Sequence, residues 1–250
     1  MIKKKYKALM LDLDGTTIEN RIDALPSEKV VEAISMVQEK IFVCVATGRS
    51  IRKASPILDI LKVTNPVILL GGSQIIDGKS RKYIYEKPIR DEDVLKVIEI
   101  LKKHPEKIMI DEKEKAVEYC PSYKLKTTYN LFPKYSSIEA ADKIAAELSH
   151  INTIATHKVI NWEKGTYILD ITHAEATKQH AIYEVAKILG IDTHEIIGVG
   201  DGYNDFPLLM ACGLKVAMGN AVPELKEIAD YIAPTVKEDG VVDVIQKFVL

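Results

Sequence analysis

Short apolar segments alternate with amphipathic segments at both ends of the chain, and this alternation constrains the fold more than any other feature. Segments 7–13, 41–46 and 66–70 are mostly apolar and rich in valine, isoleucine and leucine. Segments 27–39 and 51–61 lie between them and carry apolar residues at helical spacing. Near-continuous apolar strands separated by helices are typical of a parallel sheet that is buried on both faces.

The C-terminal end repeats this pattern. A helix is predicted at Lys178–Leu189, with Gly190 as its C-cap, and a strand at 195–199. Beyond that strand, helices are predicted at 206–212 and 222–229, and strands at 215–218 and 231–233. Strands and helices that alternate in this way predict an α/β fold with a doubly wound parallel sheet.

The middle of the chain has a different pattern, with more polar residues among the apolar ones. Four strands are predicted there, at 83–89, 107–111, 116–119 and 167–172, and two helices, at 91–103 and 137–148. This pattern favours an antiparallel sheet with helices on one face. We therefore predict an α/β core formed by residues 1–81 and 176–250, interrupted by an inserted α+β domain at 82–175. A length of 250 residues, large for one domain, is then divided between the two.

The composition excludes several classes of protein. Lysine and arginine total 34 against 36 for aspartate and glutamate, and this near-balance argues against a protein that coats nucleic acid. Cys44, Cys120 and Cys212 lack the number and spacing of a disulfide framework or a zinc site, which fits a reducing cytosol. No segment approaches the ~20 apolar residues of a membrane span. We expect a cytoplasmic protein with no nucleic-acid or membrane partner; the sequence leaves its oligomeric state open.

The first strand ends in the sequence DLDGTT at 12–17. Its two carboxylates, on Asp12 and Asp14, point the same way on an extended backbone. They fall at the carboxyl end of the strand, where open α/β sheets bind ligands. A calcium-binding EF-hand loop also begins in this way, but it needs Gly at position 6 and Glu at position 12, where this chain has Thr17 and Asp23. The motif alone leaves catalysis and a solvated turn both open.

Three further motifs fall at the ends of predicted elements. The sequence TGR at 47–49 follows a strand and offers a hydroxyl, a backbone amide and a guanidinium, which suit a phosphate oxygen. Lys178 opens a helix, and GVGDGYND at 198–205 follows a strand. Each has an ordinary explanation: a turn, a surface lysine, or an N-cap formed by Asn204 or Asp205. However, all of them are predicted at one edge of the sheet, in the order that a phosphoryl-transfer enzyme needs.

Together these motifs resemble those of the haloacid dehalogenase (HAD) superfamily of phosphohydrolases, in particular its Cof-type (type IIB) branch. That branch carries D-x-D-G-T, T-G-R, a lysine and G-D-G-x-N-D, in this order. The resemblance covers both parts of the predicted core and implies a Rossmann-like fold with a cap domain inserted between T-G-R and the lysine. The chain departs from many relatives in having Gly-Gly-Ser at 71–73 in place of Asn-Gly-Ala, and in the neighbours of its lysine, Thr177 and Gln179.

The resemblance also implies catalytic roles. Asp12 would attack phosphorus and form an aspartyl-phosphate, and Asp14 would be the general acid and base. Thr47 and Lys178 would hold the transferring phosphoryl oxygens.

Magnesium and substrate contacts follow from the same resemblance. Mg²⁺ would be bound by side-chain oxygens of Asp12 and Asp201 and by the backbone carbonyl of Asp14, with Asp205 orienting these ligands or coordinating directly. Four residues are expected to contact the substrate: Gly15, Gly48, Arg49 and Asn204. Four aromatic residues of the cap are candidates for lining its binding site: Tyr119, Tyr123, Tyr129 and Trp162.

The expected function is therefore that of an Mg²⁺-dependent phosphatase of a small phosphorylated metabolite, such as a sugar phosphate, phosphoglycolate or a cofactor phosphate. Two alternatives share the fold: a phosphosugar mutase, and a non-catalytic sugar-phosphate-binding protein. A phosphoacceptor receiver domain is disfavoured by the length of the chain, by its inserted middle section and by the Asp-x-Asp spacing.

Overall fold

Two β-sheets of unequal size organise the chain in the structure, a computed structural model that describes residues 6–134, 137–163 and 165–250. In chain order its strands are β1 (Ala8–Leu11), β2 (Phe42–Ala46), β3 (Val67–Leu69), β4 (Gln74–Ile76), β5 (Tyr83–Glu86), β6 (Ile108–Asp111), β7 (Ala116–Glu118), β8 (Asn130–Pro133), β9 (Ile154–Ile160), β10 (Tyr167–His173), β11 (Ile196–Gly200), β12 (Leu214–Ala217) and β13 (Tyr231–Ile232). Its α-helices are α1 (Glu28–Val37), α2 (Ile51–Ile60), α3 (Asp91–Leu101), α4 (Ile138–Leu148), α5 (Lys178–Leu189), α6 (Phe206–Ala211), α7 (Pro223–Glu227) and α8 (Gly240–Phe248).

The larger sheet has eight strands in the order β13-β12-β11-β1-β2-β3-β4-β5. The strands from β13 to β3 run parallel, and β4 and β5 pair antiparallel at one edge. Along β1, Leu9 and Leu11 pack against α1, α2 and α8, whereas Ala8 and Met10 pack with α5, α6 and α7 on the opposite face. Helices thus cover both faces, which confirms the predicted doubly wound α/β fold.

The smaller sheet is antiparallel and has the order β7-β6-β8-β10-β9. Helices α3 and α4 cover one of its faces, where Ile110, Leu131 and Ile171 are fully buried in a separate apolar core. This is the α+β arrangement that the middle section predicts. Its other face is turned toward the carboxyl ends of the parallel strands.

One strand prediction is wrong. The sequence pattern predicts segment 83–89 in the smaller sheet, but β5 pairs with β4 at the edge of the larger one, with Ile75 opposite Tyr85. An edge strand is only half buried, so it shows the same mixture of polar and apolar residues as a strand of a one-sided sheet. If the boundary between core and inserted domain followed the two sheets, β5 would belong to the α/β core. The division at 1–81, 82–175 and 176–250 stays a prediction.

Local signals in the sequence account for the ends of two helices. Ser27 caps α1, because its Oγ accepts a hydrogen bond from the backbone N–H of Val30 at 3.2 Å. Gly190 ends α5 with a φ of 66°, a left-handed conformation that glycine adopts without strain. The helix that ends at Gly190, α5, begins at Lys178.

The helices in the described part of the chain are short. The longest, α5, has 12 residues, and none is long and apolar enough to cross a membrane.

Candidate active site

The parallel strands bring the sequence motifs together at one edge of the larger sheet. Asp12 follows β1, Thr47 follows β2 and Asp201 follows β11, and β1 lies between the other two strands. Strands that run parallel and in register end at the same edge, so these residues become neighbours although they lie far apart in sequence. Lys178 reaches the same place from the first turn of α5.

Lys178 forms two short ion pairs in the interior. Its Nζ lies 2.6 Å from Oδ1 of Asp12 and 2.6 Å from Oδ1 of Asp205, and the lysine side chain is 2% exposed. Burial alone would lower the pKa of Lys178, but the two carboxylates raise it above its ordinary value. Lys178 is therefore a fixed positive charge beside Asp12.

Burial and the neighbouring carboxylates raise the pKa of Asp12 by more than Lys178 lowers it. Burial raises its pKa to about 8, the nearby Asp205 adds to this, and Lys178 opposes it. Burial likewise raises the pKa of Asp201 well above its ordinary value, with further contributions from Asp12 and Asp205. Burial and mutual repulsion therefore disfavour the ionised forms of these carboxylates, and a cation among them would favour ionisation.

Three of these carboxylates are arranged as cation ligands. Asp12, Asp201 and Asp205 are buried, and one oxygen from each lies within 4.8 Å of the others. Thr16 Oγ1 and Asn220 Nδ2 donate to Asp201 at 3.1 and 3.3 Å and fix its orientation. Buried oxygen ligands with uncompensated negative charge suit a hard divalent cation, so the residues present fit a metal ion.

Glycine is required at position 15 by this cluster. Gly15 has a φ of 84°, and a Cβ atom there would lie 2.1 Å from Oδ2 of Asp201. Its carbonyl oxygen accepts a hydrogen bond from Asn220 Nδ2 at 2.8 Å. The glycine of the first motif thus allows the backbone after β1 to approach the acidic turn after β11.

Asp14 does not belong to this cluster of side chains; it points toward the smaller sheet. Arg49 donates to both of its oxygens, from Nε at 2.8 Å and from Nη2 at 2.6 Å. Trp162, in the loop between β9 and β10, donates from Nε1 to Oδ1 of Asp14 at 3.1 Å. Its ring also lies 5.3 Å from the guanidinium of Arg49. The two parts of the chain therefore meet at Asp14.

Thr47 and its neighbours form the turn after β2. Thr47 is buried, and its Oγ1 accepts a hydrogen bond from the backbone N–H of Arg49 at 3.1 Å. Gly48 and Arg49 line the cavity described below, as does Asn204 from the turn after β11.

A second glycine sets the position of Lys178. Gly72 has a φ of 121°, and a Cβ atom there would lie 2.4 Å from the carbonyl carbon and oxygen of Thr177. Thr177 caps α5 by accepting a hydrogen bond from the N–H of His180 at 3.3 Å. In the Gly-Gly-Ser sequence, Gly72 permits this close approach, and Ser73 donates to the carbonyl oxygen of Tyr129 at 3.0 Å.

A cavity of about 320 Å³ lies between the edge of the larger sheet and the open face of the smaller one. Its wall on the core side includes Asp12, Asp14 and Asp201. Of the four aromatic candidates, Trp162 lines it. Tyr119 and Tyr123 are partly buried and pack instead against the apolar core under α3 and α4, and the buried Tyr129 donates to Glu86 at 2.5 Å.

Sequence reasoning missed a polar group on the opposite wall. Asn130 in β8 donates from Nδ2 to Asp170 in β10 at 2.8 Å and to Asp111 in β6 at 3.4 Å. Burial raises the pKa of Asp111 to about 7, aided by Asp170, and raises the pKa of Asp170 to about 6. The three residues lie on three strands and form no local motif, so no sequence pattern indicates that they lie together.

His157 in β9 also faces the site. It lines a small extension of the site with Asp170, Lys178 and Asn204, and its buried Nε2 has no hydrogen-bond partner among the described residues. Burial lowers the pKa of His157 to about 4, and Lys178 contributes to this, so its ring is neutral at pH 7.

Comparisons with known proteins agree with this geometry. The profile of the haloacid dehalogenase-like hydrolases matches residues 9–143 and 122–245. A putative phosphatase of Haemophilus influenzae is 25% identical over 97% of this chain and 98% of its own length. A 5-amino-6-(5-phospho-D-ribitylamino)uracil phosphatase of Bacillus subtilis is 26% identical over 98% of this chain and 96% of its own length.

The fold has a close counterpart among solved structures. A phosphatase of the HAD superfamily from Bacteroides thetaiotaomicron superposes with a TM-score of 0.84 at 22% identity, covering 99% of this chain and 96% of that one. The profile match spans most of the sequence, and the motif residues lie together in the fold. The chain therefore belongs to the haloacid dehalogenase-like hydrolases, as a Cof-type phosphohydrolase.

Proposed function

We propose that the protein is an Mg²⁺-dependent phosphatase of small phosphate monoesters that works through an aspartyl-phosphate on Asp12. The observation that carries this proposal is the position of Asp12, 2.6 Å from the buried ammonium of Lys178 and within 4.8 Å of Asp201 and Asp205. A phosphate dianion repels a carboxylate nucleophile, so the attack needs fixed positive charge beside it.

The chain's own residues offer donors for the phosphoryl oxygens. Lys178 lies beside the nucleophile, and the turn after β2 supplies the Thr47 hydroxyl and the backbone N–H of Gly48. Arg49 and Asn204 line the cavity and are assigned to substrate contacts around these donors. Gly15, predicted to contact the substrate, packs against Asp201 instead of lining that cavity. Lys178 is held in place before substrate binds, because it is paired with two carboxylates, and Gly72 leaves room for the start of its helix.

The metal would be held by Asp12 and Asp201, together with the backbone carbonyl of Asp14. When bound, Mg²⁺ would supply charge neutralisation to carboxylate and phosphate oxygens. Both oxygens of Asp205 already accept hydrogen bonds, Oδ1 from Lys178 and Oδ2 from the N–H groups of Asp201 and Gly202 at 2.9 and 3.0 Å. These contacts favour an orienting role for Asp205 over direct coordination.

Asp14 is assigned to proton transfer. As the Asp12 oxygen attacks phosphorus and the ester P–O bond breaks, Asp14 gives a proton to the departing oxygen. Water then attacks the phosphorus of the aspartyl-phosphate and gives its proton to Asp14, and the bond to Asp12 breaks to release phosphate. To carry a proton, Asp14 must release one of its hydrogen bonds from Arg49 or Trp162.

We assign the smaller sheet with α3 and α4 as a cap over the site. It contributes Trp162 and the polar group of Asp111, Asn130 and Asp170 to the cavity wall. Such a cap would exclude water from the reacting groups and contact the part of the substrate beyond the phosphate.

The test is phosphate release from a panel of sugar phosphates, phosphoglycolate, cofactor phosphates and p-nitrophenyl phosphate, with Mg²⁺ and with excess EDTA. We expect Mg²⁺-dependent release that Asp12→Asn lowers at least ~10⁴-fold. Asp23→Asn, at an exposed aspartate, is the matched control and should keep full activity. Turnover in Asp12→Asn or in EDTA would contradict the proposal. Dependence on a bisphosphate would indicate a mutase, and binding without turnover a sugar-phosphate-binding protein.

A further inference from the structure

The open face of the smaller sheet is divided into two strips. Successive residues of a strand point to opposite faces, so residues two apart share a face. Four strands each place a polar residue on the cavity side, forming the polar strip: Asp111, Asn130, Asp170 and His157. Two positions along the same strands lie the apolar residues of the cavity wall, forming the apolar strip: Met109, Phe132, Ile168 and Val159.

The strand register aligns these residues within β6 and β8 and within β10 and β9. Between β8 and β10 the strips are stepped by two residues, because Ile171 lies opposite Leu131 and Asp170 therefore lies opposite Phe132. Asp111 pairs with Asn130 and Met109 with Phe132, while Asp170 pairs with His157 and Ile168 with Val159. Because neighbouring strands are antiparallel, the step from polar to apolar residue runs in the same direction on all four. Two residues of a strand span about 6.6 Å, which is therefore the distance from polar to apolar residue along each strand.

The polar strip is the one nearer the phosphate site. Asp170 and His157 line the small extension that also contains Lys178. A Cβ atom on Gly48 would lie 3.7 Å from Oδ2 of Asp170. A substrate whose phosphate lies at Asp12 would therefore meet the polar strip first and the apolar strip beyond it.

The polar strip presents unused hydrogen-bond acceptors to the cavity. Asp111 is nine-tenths buried, and its side chain accepts a single long hydrogen bond, from Asn130 at 3.4 Å. Burial outweighs the charges of the nearby lysines at both carboxylates, because the pKa values of Asp111 and Asp170 stay above their ordinary value. Lys53 and Lys134 also line the cavity; Lys53 is exposed, lies against the Trp162 ring at 5.2 Å and lowers the pKa of both carboxylates without offsetting burial. Carboxylates in this state accept hydrogen bonds from hydroxyl groups and repel other carboxylates.

The apolar strip presents surface that nothing in the described structure covers. Met109, Phe132, Ile168 and Val159 are only half buried, in contrast to the fully buried apolar residues on the opposite face of the same sheet. Apolar surface that a ligand covers contributes about 25 cal/mol per Å² to binding. A hydrophobic or aromatic group would gain this contribution here, and a short polyol phosphate would not reach it.

From these two strips we propose the substrate class: a phosphorylated sugar or polyol that carries a ring on the side away from the phosphate and has no carboxylate. This inference rests on the proposed function, because it places the phosphate at Asp12. It separates the expected substrates, since phosphoglycolate would bring its carboxylate against the polar strip and leave the apolar strip uncovered.

Two matched pairs of substrates test the strips separately. Uridine 5′-monophosphate adds a ring to ribose 5-phosphate, and we expect its kcat/KM to be about tenfold higher. Glucitol 6-phosphate and 6-phosphogluconate differ in one terminal carboxylate, and we expect the carboxylate to lower kcat/KM at least ~tenfold.

Variants then assign each preference to its strip. Phe132→Ala should lower kcat/KM for uridine 5′-monophosphate about tenfold and leave ribose 5-phosphate within about twofold. Val117→Ala, on the edge strand packed against the apolar core of α3 and α4, is the matched control and should change neither. Asp111→Asn keeps the shape of the side chain and should raise kcat/KM for 6-phosphogluconate relative to glucitol 6-phosphate.

Hydrolysis of p-nitrophenyl phosphate distinguishes a wrong substrate class from a wrong proposed function. If it is hydrolysed while phosphoglycolate is the best substrate, or while the ring gives no gain, the substrate class is wrong and the phosphatase stands. A uniform loss on all esters in Phe132→Ala would equally overturn the assignment of the apolar strip. If no ester releases phosphate, the proposed function fails and the substrate class fails with it.

Discussion

Two groups of buried carboxylates face each other across the cavity, and they are compensated differently. On the core side, Asp12 and Asp205 each lie 2.6 Å from the ammonium of Lys178. Asp201 completes the group, and its oxygens accept from neutral donors. Three carboxylates with one lysine leave negative charge that a divalent cation would balance.

On the cap side, Asp111 and Asp170 share a neutral amide. Asn130 donates to both, and its own Oδ1 accepts from the backbone N–H of Ile171 at 2.9 Å, which fixes the orientation of the amide. Burial raises the pKa values of Asp111 and Asp170 to about 7 and about 6, so a proton offsets part of the cost of burying them.

The difference indicates what each group is for. A cluster held by a lysine and shaped for a cation is suited to the charged phosphate end of a ligand. A cluster held together by a neutral amide is suited to the uncharged, hydroxylated part. The two walls of one cavity thus differ in the charge they are built to receive.

The largest expected effect comes from removing the cation of the core. Lys178→Met leaves Asp12 and Asp205 buried without their partner, and the free energy of unfolding should fall by about 3–5 kcal/mol at pH 8 without metal. Burial has already raised the pKa of Asp12 to about 8, so stability is lost as pH rises from about 4 toward 8. Lys178→Met should therefore lower the free energy of unfolding more at pH 8, where Asp12 is more ionised, than at pH 5. Urea unfolding in EDTA measures both values.

Lys187→Met is the matched control for this variant. Lys187 lies on the same helix, is 71% exposed and pairs with Glu184 at 2.7 Å. Its removal should change the free energy of unfolding by less than about 1 kcal/mol at either pH. Equal losses in the two variants would show that Lys178 does not offset the charge of the core carboxylates.

A smaller effect is expected from crowding the core cluster through the backbone. In Gly15→Ala, the new methyl group would lie 2.1 Å from Oδ2 of Asp201, so that carboxylate must move. Gly165 has nearly the same φ, 82°, and has nothing within 4 Å of an added Cβ, so Gly165→Ala isolates the cost of the backbone conformation. We expect about 1 kcal/mol for Gly165→Ala and at least about 1 kcal/mol more for Gly15→Ala.

Gly15→Ala should also weaken the metal site, which the Gly165 variant should not. The measurement is the rise in Tm on adding Mg²⁺, compared between wild type and both variants. A full Mg²⁺-dependent rise in Gly15→Ala would contradict a role of Asp201 as a metal ligand.

The sequence predicted one wall of this cavity and missed the other, for a physical reason. Asp12, Thr47 and Asp201 each follow an apolar strand, and parallel strands end at the same edge, so local patterns predict that these residues meet. The structure brings them together; their catalytic roles stay predictions. The two strands β8 and β9, by contrast, were not predicted, because the polar residues within them interrupt the apolar pattern.

The cap residues meet only through long-range pairing. Asp111 lies opposite Asn130 because β6 and β8 pair, and Asp170 comes near because β10 pairs with β8 on its other side. No spacing in the sequence encodes that register. Gly72 shows the same limit: a glycine in a turn is ordinary, and only the fold places it against Thr177.

The smallest predicted effect tests whether burial of the ionised cap carboxylates lowers the free energy of unfolding. A folded-state pKa of about 7 for Asp111, above its ordinary value, means that wild type loses stability as pH rises from about 4 to about 7. Asp111→Asn removes this loss, so the variant should match wild type near pH 4 and be more stable by roughly 1–3 kcal/mol at pH 8. Urea midpoints in EDTA measure this difference, and Asp23→Asn, at a side chain that is 78% exposed, should stay within about 0.5 kcal/mol of wild type throughout. A difference between Asp111→Asn and wild type that is constant with pH would show that the amide of Asn130 already compensates the ionised carboxylate, and the contrast between the two walls would then be one of geometry rather than charge.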